Sequence, residues 1–423
     1  MQIMFQDFLK SIGEARRAQK GDSKRIYLDY AAAAPVEARV IRVMEPYWSD
    51  VFGNPSSVHK EGMSAKNALD TARARIAKIL KTRARDIVFT SGGTEANNIA
   101  IKGTVAHLLK EGITPQAIEI VSTKLEHPSI LEVLNEMAEV GVKVIYAPVM
   151  SDGMIDAQAF EKLLTPHTRL VTFAYAQSEL GVVNDVKKLS RIVRLYRQSQ
   201  KTEYPFVHID ASQAPLWLPL QMDSLGVDMM TLDAGKCRGP KGVGTLALRG
   251  TVTLSPVTLG GSQENGKRPG TENLPLILGM AEALSLAQDD FEKRAKTVAH
   301  VRDYFFEALT SAFPDVVMHG SRASRIANNV NVSIPTIDGE YAVVWLDSRG
   351  VSASTKSACS GSTGGSDAVR VLGGSDEDAL GTLRFTLGEE TTKNDVDTVI
   401  SILKDFKVKT KLPTSVRLDQ TEK

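Results

Sequence analysis

The sequence predicts an α/β fold: a large domain on a mostly parallel sheet flanked by helices, then a smaller α+β domain toward the C-terminal end. Two observations predict it. From about residue 85 to about residue 250, short β-rich runs alternate with helical patterns, which is the order that builds parallel strands with helical crossovers. Most of those runs lack the polar alternation of a half-solvated strand, so they are expected to be buried on both faces.

In chain order, Ile3, Phe5, Phe8, Leu9 and Ile12 fall near one side of a helix, which predicts a short N-terminal helix packed on the body of the protein. The strand runs are Ile87-Val-Phe-Thr90, Ile118-Glu-Ile-Val121, Val142-Lys-Val-Ile-Tyr146, Leu170-Val-Thr-Phe-Ala174, Phe206-Val-His-Ile209, Met229-Met-Thr-Leu232 and Gly244-Thr-Leu-Ala-Leu248. Helical patterns cover residues 95–109 and 129–139 between them. Beyond 275 the texture changes. One long helical stretch over 276–311 leads to Asn329-Val-Asn-Val-Ser-Ile334, the segment 342–348, a Gly/Ser-rich stretch over 360–375 and strand-like Leu383-Arg-Phe-Thr-Leu387, together a smaller α+β unit. The expected domains are therefore 25–275 and 276–423, with 1–24 packing on the latter and a fraying polar tail from Leu412.

Composition narrows the function. The chain has 423 residues, of which 42% are hydrophobic and 24% charged, ordinary for a globular protein. A formal net charge of +1 gives no case for nucleic acid or an anionic membrane as partner. Two cysteines, Cys237 and Cys359, make no disulfide framework and cannot build a zinc site unaided, so no metal is expected. No apolar run approaches the ~20 residues of a membrane helix, and the N-terminal stretch lacks a signal peptide's apolar core. A cytoplasmic location is expected.

Ligands of such sheets bind at the carboxyl ends of the strands, so the residues following each run are the candidates. Ser91-Gly-Gly-Thr94 follows one run and opens a helix. Its unpaired N–H groups suit a phosphate, and a plain glycine turn with Thr94 as N-cap is the alternative. Asp210 ends a buried strand and needs a cation such as a protonated pyridine nitrogen, or else it caps the segment from Ala211; Gln213 could donate to a phenolate. Lys236 stands in a glycine-rich loop after a strand, where an amine can meet a carbonyl, with Arg238 and Lys241 as neighbouring cations; a surface lysine is the alternative. His127 can stack on a flat ring and move protons, or simply be fixed by local hydrogen bonds before a Pro-started helix. Cys359 sits in a loop too polar for a structural thiol, whereas Cys237 reads as a packing residue. Arg384 in a strand suits a bidentate grip on a carboxylate, or a pair with Asp or Glu.

These signals occur together and in order. Tyr27-Leu-Asp-Tyr-Ala31, Phe52-Gly-Asn-Pro-Ser-Ser-Val-His59, Ile87-Val-Phe-Thr-Ser-Gly-Gly-Thr-Glu95, Glu126-His127, Glu179-Leu-Gly181, His208-Ile-Asp210 with Gln213, Lys236 with Gly239-Pro-Lys-Gly242, Arg268-Pro-Gly-Thr271, Ser357-Ala-Cys359 and Arg384-Phe-Thr-Leu-Gly388 form a collinear set. The set resembles the cysteine desulfurases, class V aminotransferase-like enzymes of fold type I that use pyridoxal 5'-phosphate, over nearly the whole chain.

The resemblance implies roles. Lys236 carries the cofactor, Asp210 holds the pyridinium proton, Gln213 contacts the ring oxygen and His127 lies over the ring. Gly93 and Thr94 bind the phosphate, Ser178 falls at the ring-contact position, and Thr271 reaches the phosphate of the partner subunit in a homodimer. Arg384 holds the carboxylate of L-cysteine. Cys359 takes the sulfur as a persulfide, releases alanine and passes sulfur to an acceptor protein for iron–sulfur assembly or tRNA thiolation. Selenocysteine lyase, another class V aminotransferase and a catalytically degenerate scaffold are the alternatives.

The chain departs from the family in three places. Asp233, Ala234 and Gly235 replace the usual Ser, Gly or Ala, and His before the lysine, Gln177-Ser178 replaces Asn-Asn, and Gly373-Gly374 replaces a more ordinary helix end. Two like charges ~4 Å apart cost about 4 kcal/mol at a surface-like dielectric, so Asp233 is expected to turn away from the phosphate position, toward Arg238.

Overall fold

The computed structural model describes residues 25–356 and 364–409. The predicted N-terminal helix, Cys359 and the tail from Leu412 lie outside the described residues. The chain divides into two compact units, one formed by residues 31–296 and 320–327, the other by 25–30, 297–319 and 328–409 among the described residues.

The larger unit holds a seven-stranded sheet. Its strands are β1 Ile87–Thr90, β2 Glu119–Ser122, β3 Lys143–Tyr146, β4 Thr168–Ala174, β5 Phe206–Asp210, β6 Met229–Asp233 and β7 Gly244–Leu248. They lie in the order β1-β7-β6-β5-β4-β2-β3. Pairings β3–β2, β2–β4, β4–β5 and β5–β6 are parallel, whereas β7 runs antiparallel to both β6 and β1. Six strands therefore point the same way, and the carboxyl ends of β1, β2, β5 and β6 share one edge.

Both faces of the sheet are covered, which is why the runs carry no polar stripe. One apolar cluster takes Ile87 and Phe89 of β1, Val171 and Phe173 of β4 and Val207 and Ile209 of β5. Against them pack Leu69 and Ile76 of helix α1 (Lys60–Leu80) and Ile277 and Leu284 of helix α5 (Leu274–Asp289). The opposite cluster takes Val88, Leu170 and Phe206 from the alternate positions, with Ile99 and Leu108 of α2 (Gly93–Lys110) and Ile130 and Leu134 of α3 (Pro128–Glu139). Helix α4 (Val186–Gln200) joins the first face through Leu189 and Val193.

The long helical stretch expected over 276–311 is two helices, α5 and α6 (Phe291–Ala312), broken at Asp290, whose φ of −132° leaves the helical region. Asp is a poor interior helix residue because its short carboxylate competes for backbone N–H groups.

In the smaller unit, β8 Asn329–Ser333 pairs antiparallel with β9 Thr382–Thr386 and with the short strand Val317–Met318. Ile26–Tyr27 pairs in parallel with Val351–Ser352. Phe385 of β9 meets Phe305 of α6 with ring centroids 5.0 Å apart. Trp345 of α7 (Gly339–Asp347) meets Phe406 of α8 (Lys393–Lys409) at 5.7 Å. Among the described residues no helix is long and apolar enough to cross a membrane.

Candidate active site

The shared edge of carboxyl strand ends gathers most of the residues singled out from the sequence. Asp210 closes β5, beside Ala174 of β4 and Thr231 of β6 in register. Its Oδ2 accepts a hydrogen bond from Asn97 Nδ2 at 2.9 Å, and its Oδ1 accepts one from the Ser212 N–H at 2.9 Å. The capping geometry expected of the alternative reading is thus present, but one oxygen is turned to α2. Asn97 is fully buried on that helix, and its amide also donates to Ser129 Oγ at 2.9 Å.

Ser129 carries the network to His127. The Ser129 N–H, which can only donate, reaches His127 Nδ1 at 3.1 Å, with Ser129 Oγ 2.8 Å from the same nitrogen. Nδ1 is therefore the acceptor, and the neutral ring carries its proton on Nε2. Burial lowers the His127 pKa, and Lys236 adds to the lowering, while Asp210 and Asp233 oppose it. The imidazole is the N-cap of α3, as local fixation before Pro128 required, yet it feels the charges of three other site residues.

Lys236 lies in the single turn Ala234–Lys236 that follows β6. Its Nζ donates to the backbone oxygens of Ala31 at 2.9 Å and Ala32 at 2.6 Å. Gln213 Nε2 donates to the same Ala31 oxygen at 3.1 Å, so the amine and the amide are brought together. Cys237 is buried and free, and burial pushes its thiol up to about 12, which suits packing and not reaction.

Asp233 overturns the expectation that it turns away. Its Oδ2 accepts the Gly93 N–H at 2.9 Å, and its Oδ1 accepts the Gly235 N–H at 2.8 Å. Register is the cause: Asp233 lies opposite Gly244, which lies opposite Thr90, so the end of β6 reaches the turn into α2. The unpaired N–H groups and partial positive charge of that helix end then attract the carboxylate. Arg238 instead has its Nε 3.5 Å from Glu37 Oε2.

The first turn of α2 holds a second carboxylate. Glu95 accepts from the Ser91 N–H and is paired with Arg268 at 3.1 Å, which ties the 268–271 loop to this helix end. Thr94 and Thr271 are both exposed. Ser178 is half-buried beside Gln177, whose Nε2 donates to the Leu125 oxygen at 3.1 Å and whose Oε1 accepts from the Glu179 N–H at 2.8 Å.

Four contributors escaped the sequence reading: Asn97, Ser129, Ser212 and Glu126 as a titrating group. Asn97 stands out in retrospect as an amide on the mostly apolar buried face of α2. Glu126 is buried, and burial pushes its carboxyl up to about 8. The nearby Asp210 charge adds to that rise, while the Thr123 hydroxyl, 2.6 Å from Oε1, and the Ala174 backbone oppose it. His208, fully buried between Thr172 Oγ1 at 2.8 Å and Thr231 Oγ1 at 3.0 Å, is pushed down to about 4 by burial, against the pull of Asp210.

In the smaller unit Arg384 is buried on β9 and its Nη2 donates to Asp29 Oδ1 at 2.9 Å. Its backbone N–H and oxygen both pair with Ser354, shortly before the segment that carries Cys359. Cys359 itself lies outside the described residues.

The chain matches the family model "Aminotransferase class-V" over residues 26–399. It is 38% identical to the cysteine desulfurase IscS of Dictyoglomus turgidum, over 90% of this chain and 94% of that protein. A solved NifS-like protein superposes with a TM-score of 0.83 at 30% identity, covering 91% of this chain and 99% of the other. A structure described as SspA in complex with cysteine superposes with a TM-score of 0.73 at 29% identity, over 87% and 100%.

Proposed function

We propose that this chain, which belongs to the class-V aminotransferase family and within it to the cysteine desulfurases, removes sulfur from L-cysteine with pyridoxal 5'-phosphate held on Lys236. The observation that carries the proposal is the convergence of Lys236, Asp210, His127 and the α2 N-terminus on one sheet edge.

The residues fit that cofactor. Lys236 offers an amine held by two carbonyl oxygens, and Asp210 offers a carboxylate steadied by Asn97 and Ser212. At the other end an anion already sits on the Gly93 N–H: the Asp233 carboxylate is a stand-in for a phosphate oxygen. Bound there, pyridoxal phosphate supplies an electron-poor ring that stabilises negative charge developing next to an amino acid's carboxylate.

The remaining work belongs to the chain. Asp210 would hold the proton of a pyridine nitrogen, and Gln213 and Ser178 would serve the ring. Gly93 and Thr94 are the anion-binding turn. His127, neutral near pH 7 with its proton on Nε2, moves protons at the reacting face. Arg384 grips the substrate carboxylate. The Cys359 thiolate attacks the sulfur of L-cysteine; an S–S bond forms, the C–S bond breaks, and the carbon takes a proton to give L-alanine. The persulfide then passes to an acceptor protein of iron–sulfur assembly or tRNA thiolation in the cytoplasm. Thr271 completes the phosphate site of the second subunit of a homodimer. The cysteine bound to a structural relative supports the choice of substrate.

Incubation with L-cysteine and cofactor, read by mass spectrometry, tests this. Alanine and one extra sulfur on Cys359 are expected. Lys236→Ala should abolish both, and Cys359→Ser should abolish sulfide release. Wild-type sulfide production by Cys359→Ser would remove the thiol from its role.

A further inference from the structure

The Asp233 carboxylate occupies the Gly93 N–H, the group that a phosphate at this turn would use. Oδ2 takes the Gly93 N–H at 2.9 Å and Oδ1 takes the Gly235 N–H at 2.8 Å, so the group is held at both oxygens, not resting against the helix by chance. The space is cut to fit it. A Cβ added at Gly92 would stand 3.3 Å from Asp233 Oδ2, and one at Gly93 would stand 3.0 Å from Ser212 Oγ and 3.5 Å from Oδ2. Glycine at both positions lets a carboxylate approach the backbone closely. The second carboxylate of this turn, Glu95, is already paired with Arg268, which leaves less cationic character for an incoming anion.

A phosphate monoester binds a helix N-terminus through the same N–H groups and the same partial charge. One N–H cannot serve two anions at full strength, and a dianion beside a carboxylate is repelled. The phosphate therefore enters only as Asp233 gives up Gly93, at the cost of that hydrogen bond. Nothing in this competition would touch the aldehyde, the ring nitrogen or the ring oxygen, for which Lys236, Asp210 and Gln213 are the proposed partners.

We propose that Asp233 is a specificity-determining residue that competes with the phosphate of pyridoxal 5'-phosphate, so that this chain holds its cofactor loosely and favours it little over unphosphorylated pyridoxal. The inference rests on the cofactor reading above. A hydroxyl or amide at 233 relieves the phosphate alone.

The test titrates wild-type protein, Asp233→Asn and Asp233→Ser with pyridoxal 5'-phosphate and, separately, with pyridoxal. The visible band of the lysine-bound aldehyde gives the affinity, and borohydride reduction followed by peptide mass spectrometry places it on Lys236. Asp233→Asn keeps one acceptor oxygen, which can still take the Gly235 N–H of its own loop while the amide NH2 replaces the oxygen on Gly93, and Asp233→Ser is the second variant. Both variants should bind the phosphorylated cofactor roughly tenfold or more tightly than wild type, and pyridoxal within about twofold of it. Unchanged affinity for pyridoxal 5'-phosphate, or an equal change for both aldehydes, overturns the role of Asp233 and leaves the cofactor reading standing. Failure of both aldehydes to attach to Lys236 in all three proteins overturns the two together.

Discussion

A buried carboxyl beyond the end of β2 and the carboxylate that closes β5 are coupled in the site. Glu126 and Asp210 are close enough to interact, and burial makes a second negative charge there expensive. Glu126, pushed up to about 8 from an ordinary 4.5, keeps its proton near neutral pH. Its folded pKa lies above the unfolded one, so the folded chain holds a proton that the unfolded chain has released anywhere between those two values. The stability this carboxyl contributes is full below the unfolded value and is lost as pH rises through the folded one. Glu126→Gln should therefore flatten the fall in unfolding free energy between pH 5 and pH 8, by roughly 1 kcal/mol per pH unit at most, as read by urea denaturation. A wild-type slope retained in the variant would assign the pH dependence to other groups. Asn97 acts at the same scale: its single amide serves both Asp210 and Ser129. Asn97→Ala leaves both acceptors short of a donor in a buried place, which should cost about 1–3 kcal/mol of stability and loosen the cofactor. Cofactor affinity unaltered in Asn97→Ala would show that Asp210 is positioned by Ser212 alone.

At the scale of elements, the strands were readable because a strand buried on both faces needs an unbroken apolar run, and such runs are local. Ile87-Val-Phe-Thr90 and Gly244-Thr-Leu-Ala-Leu248 match their strands end to end. The reversed direction of β7 was not readable, since a run carries no arrow. That reversal matters, because it sets Gly244 between Asp233 and Thr90 and brings β6 to the α2 turn. The sequence offered Asp233 and the Gly92-Gly93 turn as separate facts, and like-charge repulsion pointed the side chain away. The helix end is the attraction that decides its orientation. Gly244 is the hinge of this arrangement: an added Cβ would stand 2.5 Å from the carbonyl carbon of Gly92. Gly244→Ala must push the turn aside, with an expected loss of roughly 1–3 kcal/mol in urea denaturation and weaker binding of the phosphorylated cofactor. Wild-type stability in this variant would mean that the turn yields freely, and the link from β7 to the phosphate end would fail.

For the whole molecule, the question is what the exposed motif residues are for. Phe52 and Val58 of the Phe52-to-His59 motif are 69% and 93% exposed, and Trp48 just before it is 62% exposed. Leu259, ahead of the Arg268-to-Thr271 loop, is 86% exposed. Large apolar side chains left in water at motif positions point to an association surface, because their burial gains nothing within one chain. The role proposed for Thr271, at the phosphate of a second subunit, accords with its exposure on this chain. Sedimentation should find a dimer. Phe52→Glu with Val58→Glu should weaken it by about a hundredfold or more, since buried apolar anchors dominate such interfaces. The same double variant should lose cofactor affinity although it alters no group that touches the ring. Thr271→Ala should keep the dimer and lower affinity for pyridoxal 5'-phosphate severalfold while leaving pyridoxal unaffected, the inverse of the Asp233 variants. A monomeric double variant that binds cofactor as tightly as the wild type would confine the site to one chain and leave Thr271 without a role.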